Sequence, residues 1–173
     1  MFANGGKRVE PYLIKKILDR SGQVLFEKQL ENPEQVIDPR IAFLINDILK
    51  EAATRGTAKK VSELQRTDFA GKTGTTNKAE STWFTGYNSH IVTSVWVGFD
   101  QPKSLGDREF GSTIALPIWL NYKKVIIEDI PISQTLPPEG LSIIKIDKDS
   151  GQKARPDSKD LMFEYFLEEN IPN

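Results

Sequence analysis

The sequence predicts an α+β fold, an antiparallel sheet with helices packed on it, and a few observations carry that prediction. Residues 12–28 alternate apolar with polar, the period of a half-buried strand. Two stretches, beginning near Ile41 and Ile114, switch to the helical period instead. Between them, runs rich in β-branched and aromatic residues follow one another across short turn segments, which favours antiparallel neighbours.

Taken in order, Tyr12 to Leu18 and Gln23 to Lys28 read as the strands of a hairpin, divided by the turn residues Asp19-Arg20-Ser21-Gly22. From Ile41 the apolar positions are 41, 44, 45, 48, 49 and 52, the series of an amphipathic helix. Asp38 stands where its N-cap belongs, Pro39 in its first turn and Gly56 at its stop. The runs "FAGKTGTT", "STWFTGYN" and "IVTSVWVGFD" predict three consecutive strands, with Asn88-Ser89-His90 turning between the last two. A second helix is predicted from Ser112 or Thr113 through "IALPIWLNYKKVI"; Ile114, Ile118, Trp119, Tyr122, Val125 and Ile126 share its face, and Pro117 is tolerated near its start. From Pro131 the composition shifts, and Pro137-Pro138 marks a linker. There "LSIIKIDKDSGQKA" predicts a short hairpin and "DLMFEYFLEEN" a short terminal helix or docking segment. Residues 1–130 are thus expected to form one unit and 131–173 a small C-terminal appendage.

Composition limits the functions open to such a chain. At 173 residues, 38% hydrophobic and 27% charged, it has the material of a packed domain. With 23 basic and 24 acidic residues the net charge is -1, so no global field favours nucleic acid or an anionic membrane. Having no cysteine, it cannot use thiol chemistry, and one histidine, His90, makes a zinc site a poor expectation. Neither a metal nor a cofactor is expected. His90 reads as a turn residue, and Trp83, Phe84, Tyr87, Trp96 and Trp119 as sheet and helix core.

The stretch "DFAGKTGTTN", Asp68 to Asn77, carries the chemistry. Gly71-Lys72-Thr73 matches the end of a phosphate-binding loop, but that motif needs a glycine at position 66, which is Arg66. The sequence after Thr75 is polar and leads into a strand rather than an apolar helix. On a strand at a sheet edge the same residues have another use. An extended peptide can pair with the free backbone groups of such an edge. Thr73 and Thr75 supply hydroxyls, Gly74 leaves no side chain between backbone and ligand, and Lys72 adds an ammonium. A peptide ending in a carboxylate meets all of these together, and a backbone N–H just after the glycine can face a developing oxyanion. The competing reading is a solvated surface strand whose threonines reflect β-propensity alone.

"FAGKTGTTNKAESTWFTGY", followed by "VWVGFD" and "ALPIW" and preceded by "FANGG" and "VEPYLIKKILD", resembles the C-terminal half of the transpeptidase domain of class A penicillin-binding proteins. K-T-G is a signature of these proteins and of serine β-lactamases. The resemblance runs in matching order from Phe2 to Lys124 and fades beyond Pro131. It implies the C-terminal half of the fold those two families share. Lys72 is then implied to line the active-site cleft, Thr73 and Thr75 to hold a donor carboxylate, the Thr75 N–H to serve the oxyanion, Gly74 to permit close approach, and Thr76 and Asn77 to neighbour the substrate while turning the chain.

The implied parent enzyme is a serine-type D-Ala-D-Ala transpeptidase outside the cytoplasmic membrane, anchored through a preceding segment. Its implied partners are the peptidoglycan stem peptide, penicillins and other β-lactams, and the N-terminal half of the same domain; self-association of the present chain is also expected. The family's S-x-x-K and S-x-N motifs lie N-terminal to the matched region, and neither spacing is expected among the serines of this chain. This chain is therefore expected to hold no activated nucleophile and to be inactive alone. Two alternatives stay open: a non-catalytic peptide-binding module, and part of a serine β-lactamase, whose pattern "FANGG" and "ALPIW" fit less well.

Overall fold

The computed structural model describes residues 1–173. Strands β1 (Lys16–Leu18) and β2 (Val24–Glu27) form an antiparallel hairpin, followed by helix α1 (Pro39–Thr54). Strands β3 (Ala70–Thr75), β4 (Ser81–Tyr87) and β5 (Val92–Gly98) form an antiparallel sheet in chain order, and helix α2 (Ala115–Ile126) packs on it. Strands β6 (Leu141–Asp147) and β7 (Leu161–Leu167) make a separate antiparallel pair. The α+β expectation holds. No helix is long and apolar enough to cross a membrane.

Local chemistry explains most boundaries. Asp19 Oδ1 accepts from the amides of Ser21 at 2.8 Å and Gln23 at 2.9 Å, closing the β1–β2 turn, and Gly22 takes the left-handed conformation there (φ 85°). The paired strands are shorter than expected, and a register shift at Ile17/Leu18 interrupts their ladder. Asp38 caps α1 by accepting the Arg40 amide at 2.8 Å. At the other end the Gly56 amide returns to the Glu51 carbonyl at 3.1 Å.

The core lies between α2, the end of α1 and one face of the three-stranded sheet. Trp119 sits at its centre, edge-on to Phe69 and Phe84 at centroid distances of 5.4 and 5.1 Å. Gly86 is required beneath it, since a Cβ there would come within 2.6 Å of the indole. The indole N–H donates to the Thr93 carbonyl at 3.2 Å.

Five expectations are corrected. In α1 the buried residues are Ala42, Phe43, Asn46 and Ala53, while Ile41 and Ile48 of the expected stripe are exposed. That helix is apolar on more than one side: Ala53 packs in the Trp119 core, Phe43 meets Tyr165 of β7 edge-on at 4.9 Å, and Arg40 pairs with Glu169, just past β7, at 3.0 Å. In α2 the buried stripe is Ala115, Leu116, Trp119, Leu120 and Lys123, leaving Ile118, Tyr122 and Val125 exposed. Weighting the bulky residues hid a stripe that contains an alanine and a lysine. The segment read as a terminal helix or docking segment is strand β7, and β6 pairs with it along its full length. The hairpin expected over residues 141–154 does turn, at Ser150-Gly151 with Gly151 at φ 67°, but stops at the Ile146–Lys153 bridge, close to Pro156, which has no amide to give. Finally, Trp83 and Trp96 are half-exposed, whereas Phe84, Tyr87 and Trp119 are buried as expected.

Lys123 is the unusual core residue. Fully buried, it donates to Thr93 Oγ1 at 2.8 Å, and its ammonium lies 5.2 to 5.6 Å from the rings of Trp119, Tyr122 and Phe69. Burial pulls its pKa down to about 8. The folded state therefore gives up this proton before the unfolded state does. Stability should rise as pH climbs from about 8 towards the ordinary lysine value of 10.5. Lys123→Met keeps the chain length without the buried charge, so it should raise the thermal midpoint near neutral pH and flatten that alkaline rise. Melting curves across this range check it; a lower midpoint near neutral pH would mean that the aromatic and Thr93 contacts outweigh the desolvation.

Candidate active site

Strand β3 lies at the edge of its sheet, paired with β4 on one side only. The pairing register sets Lys72 against Thr85, Thr73 against Phe84, Gly74 against Trp83 and Thr75 against Thr82. Side chains alternate, so Lys72, Thr85 and Trp83 share the open face, while Thr73 and Thr75 share the face of the buried Phe84 and Thr82.

Which backbone groups are free follows from the turn. The Thr76 amide donates to the Ser81 carbonyl at 3.1 Å, so the pair Thr76–Ser81 is a hydrogen-bonded one. Hydrogen-bonded and open pairs alternate along an antiparallel ladder. Gly74–Trp83 and Lys72–Thr85 are then bonded pairs, and the N–H and C=O groups of Thr73 and Thr75 point to the unpaired edge. The contact of Lys72 Nζ with the Thr73 carbonyl, 3.0 Å, agrees with an outward carbonyl there.

The side chains converge on the same edge. Lys72 is exposed, takes part in no ion pair, and lies 3.5 Å from Thr73 Oγ1. Thr73 Oγ1 is 3.1 Å from Thr57 Oγ1, a residue that sequence reasoning passed over. Its signal was the sequence "RGTA" at the end of α1, read only as a helix stop. That stop delivers a third hydroxyl to the site.

Thr75 is held from the far side. The Gly111 amide donates to Thr75 Oγ1 at 3.0 Å, leaving the hydroxyl proton free to donate elsewhere. Gly111 itself is wedged against the strands, where a Cβ would fall 2.4 Å from the Trp83 carbonyl oxygen and 2.8 Å from that of Gly74. Nothing larger than glycine fits without moving β3. Thr76 uses its hydroxyl locally, accepting the amides of Glu80 at 2.9 Å and Ser81 at 3.1 Å to close the β3–β4 turn. Asn77 lies exposed in that turn. His90 sits in the β4–β5 turn, as expected, where its amide donates to Asn88 Oδ1 at 2.9 Å.

The expectation of no serine–lysine pair needs correction at the level of spacing. Ser142 has Lys145 three places on, and Ser150 has Lys153. Neither is a nucleophile with its base. Ser142 and Lys145 point to opposite faces of β6, and Ser150 Oγ is engaged with Asp147 Oδ1 at 3.0 Å. Both belong to the tail, whose strands pair with no strand of the Lys72 sheet. No serine has asparagine two places on.

Comparison with known proteins identifies the family. Residues 1–121 match the penicillin binding protein transpeptidase domain. Penicillin-binding protein 1A of Pseudomonas aeruginosa is 38% identical across 99% of this chain, which corresponds to 27% of that protein. Penicillin-binding protein 1A of Neisseria gonorrhoeae is 42% identical across 82% of this chain and 18% of its own length. The crystal structure of penicillin-binding protein 1A from Haemophilus influenzae superposes with a TM-score of 0.89 at 30% identity, covering 99% of this chain and 31% of that one. The chain thus spans about a quarter of the length of the first of these curated relatives (27%). Matched over most of its length by sequence and over nearly all of it by structure, the chain belongs to the penicillin-binding protein transpeptidase family.

Proposed function

We propose that this chain supplies one wall of the acyl-transfer site of a serine-type D-Ala-D-Ala transpeptidase that cross-links peptidoglycan outside the cytoplasmic membrane. The observation that carries the reading is the edge of β3, where outward backbone groups, threonine hydroxyls and an unpaired ammonium meet on one open strand. A stem peptide, or a penicillin in its place, lies along that edge as an added strand. Thr73 and Thr75 donate hydroxyl protons to its carboxylate, with Lys72 supplying the balancing charge. The Thr75 N–H faces the oxygen that becomes an oxyanion when a serine attacks the scissile carbonyl. Thr76, with its hydroxyl spent in the turn, contributes by shaping the exit of the strand. The serine and its lysine come from a segment N-terminal to the matched region, so catalysis belongs to the longer protein.

A fluorescent penicillin tests this. The 173-residue chain should remain unlabelled, and the same chain continued N-terminally by a segment bearing S-x-x-K should carry a stoichiometric, denaturation-resistant label. Labelling of the chain alone would place a nucleophile within it. Absence of labelling in the extended, folded protein would remove the transpeptidase reading and leave a non-catalytic peptide-binding module. Rapid hydrolytic release of the label, with turnover of the penicillin, would indicate a β-lactamase.

A further inference from the structure

The open face of the sheet is ordered in rows. In one row Lys72 is followed by Thr85 and Ser94, whose hydroxyls are 2.8 Å apart. In the next row Gly74 is followed by Trp83 and Trp96, whose rings lie 6.4 Å apart and tilted by 55°. A polar, cationic row therefore lies one dipeptide repeat, roughly 7 Å, from an aromatic one. The aromatic row reaches the edge strand because position 74 is glycine: a Cβ there would sit 3.3 Å from Trp83 Cβ and about 4 Å from the start of its ring. The Trp83 ring thus stands beside a gap in the side-chain cover of β3. Trp83 and Trp96 each remain nearly half exposed, at 47% and 45%, although Trp119 of α2, on the other face of that sheet, is fully buried.

We infer that Trp83, backed by Trp96, forms an apolar wall of the acyl-donor site, and that it takes an aliphatic side chain two residues along the donor peptide from the group held at Lys72. The inference rests on reading β3 as the strand that holds the donor. A peptide paired with the β3 edge alternates its side chains as β3 does. One side chain then falls over Lys72, and its neighbour on that face falls over Gly74. With no side chain at 74, the first surface it meets is the Trp83 ring. An apolar group is accepted there; a carboxylate in that place would lose water without gaining a partner. The wall accordingly selects for small aliphatic side chains on that face and against acidic ones, while Lys72 and the threonines select for the carboxylate end.

The chain's own tryptophans report on this. In a Trp96→Phe protein, Trp83 is the indole open to iodide quenching, because Trp119 is buried. The probe is an N-blocked tripeptide ending in D-Ala-D-Ala, titrated by calorimetry and by quenching. Binding that weakens in Thr73→Val and Thr75→Val shows that the peptide uses β3. If the wall exists, the bound peptide shields Trp83 from iodide, Trp83→Ala raises Kd about 10-fold, and Trp83→Phe restores most of the affinity. Threonine-dependent binding that leaves Trp83 fully quenchable, with Kd for Trp83→Ala within twofold of wild type, would overturn the wall and leave the β3 reading intact. Absence of binding, or binding indifferent to both threonines, would overturn the β3 reading and the wall with it.

Discussion

Lys72→Ala in the longer, catalytically complete protein lowers the second-order rate of penicillin acylation by about 10²-fold or more, with little change in thermal midpoint. The size follows from where the charge acts. An ammonium beside a donor carboxylate and a developing oxyanion works on charge that grows in the transition state, and removing one such partner costs about 3 kcal/mol of barrier. The stability term is small because Lys72 is exposed and paired only with the Thr73 carbonyl and hydroxyl. Surface substitutions of that kind stay within about 0.5 kcal/mol. Thr75→Ala is milder in rate: its backbone N–H survives, and the loss is one hydroxyl contact, about 0.5 to 1.5 kcal/mol, or up to about 3 if the contact is to a carboxylate. It also strands the Gly111 amide that Thr75 Oγ1 accepts, so its melt should fall where that of Lys72→Ala does not. Acylation of Lys72→Ala within twofold of wild type would show the lysine to be a solvated surface residue.

The strand that bears Lys72 was legible because its signals are local. Threonine and glycine alternate over Thr73, Gly74 and Thr75 in β3, and the turn chemistry of Thr76 closes within five residues. What the sequence hid depends on distance. Thr57 reaches Thr73 across a separation of 16 residues, and the Gly111 amide reaches Thr75 across 36. Neither partner has a periodicity to betray it. The helices were located correctly but rotated wrongly, for a related reason. An apolar stripe tells which residues prefer burial, not which neighbour arrives: α1 buries Ala42, Phe43 and Asn46, Phe43 against Tyr165 of β7, while Ile48 stays open. The same limit applied to β7, where an aromatic run of seven residues fitted helix or strand and pairing with β6 decided it.

Asp68 is where the largest loss of stability is expected, and it lies immediately before the strand that carries the site. Its carboxylate is almost wholly buried and pairs with Arg66 at 2.5 Å, while the Asn88 amide donates to it at 3.0 Å and the Ser133 N–H at 3.1 Å. Arg66 in turn donates to the carbonyls of Ile130 at 2.6 Å and Pro131 at 2.9 Å. One ion pair thus ties the entry to β3, the β4–β5 turn and the chain leaving α2. Asp68→Ala leaves a buried guanidinium and several donors without an acceptor, which costs about 3 to 5 kcal/mol, or roughly 10 °C in thermal midpoint for a chain of this size. Replacing both partners, Arg66→Met with Asp68→Ala, should cost less than the sum of the single changes, because no stranded charge remains. Acid gives the same answer from the other side. Burial alone would raise the Asp68 pKa, but the Arg66 pair and the Ser133 and Asn88 hydrogen bonds outweigh it and hold the group at about 2 against an ordinary 3.8. Because the folded pKa is the lower one, the stabilisation is fully present above 3.8 and disappears as pH falls towards 2. Asp68→Asn should remove that part of the acid slope while keeping the side-chain volume. The measurement is a set of melts of wild type, both single variants, the double variant and Asp68→Asn from neutral pH into this acid range. An Asp68→Ala midpoint within a degree or two of wild type, or an unchanged acid slope in Asp68→Asn, would show that the cluster does not hold β3 to the end of α2.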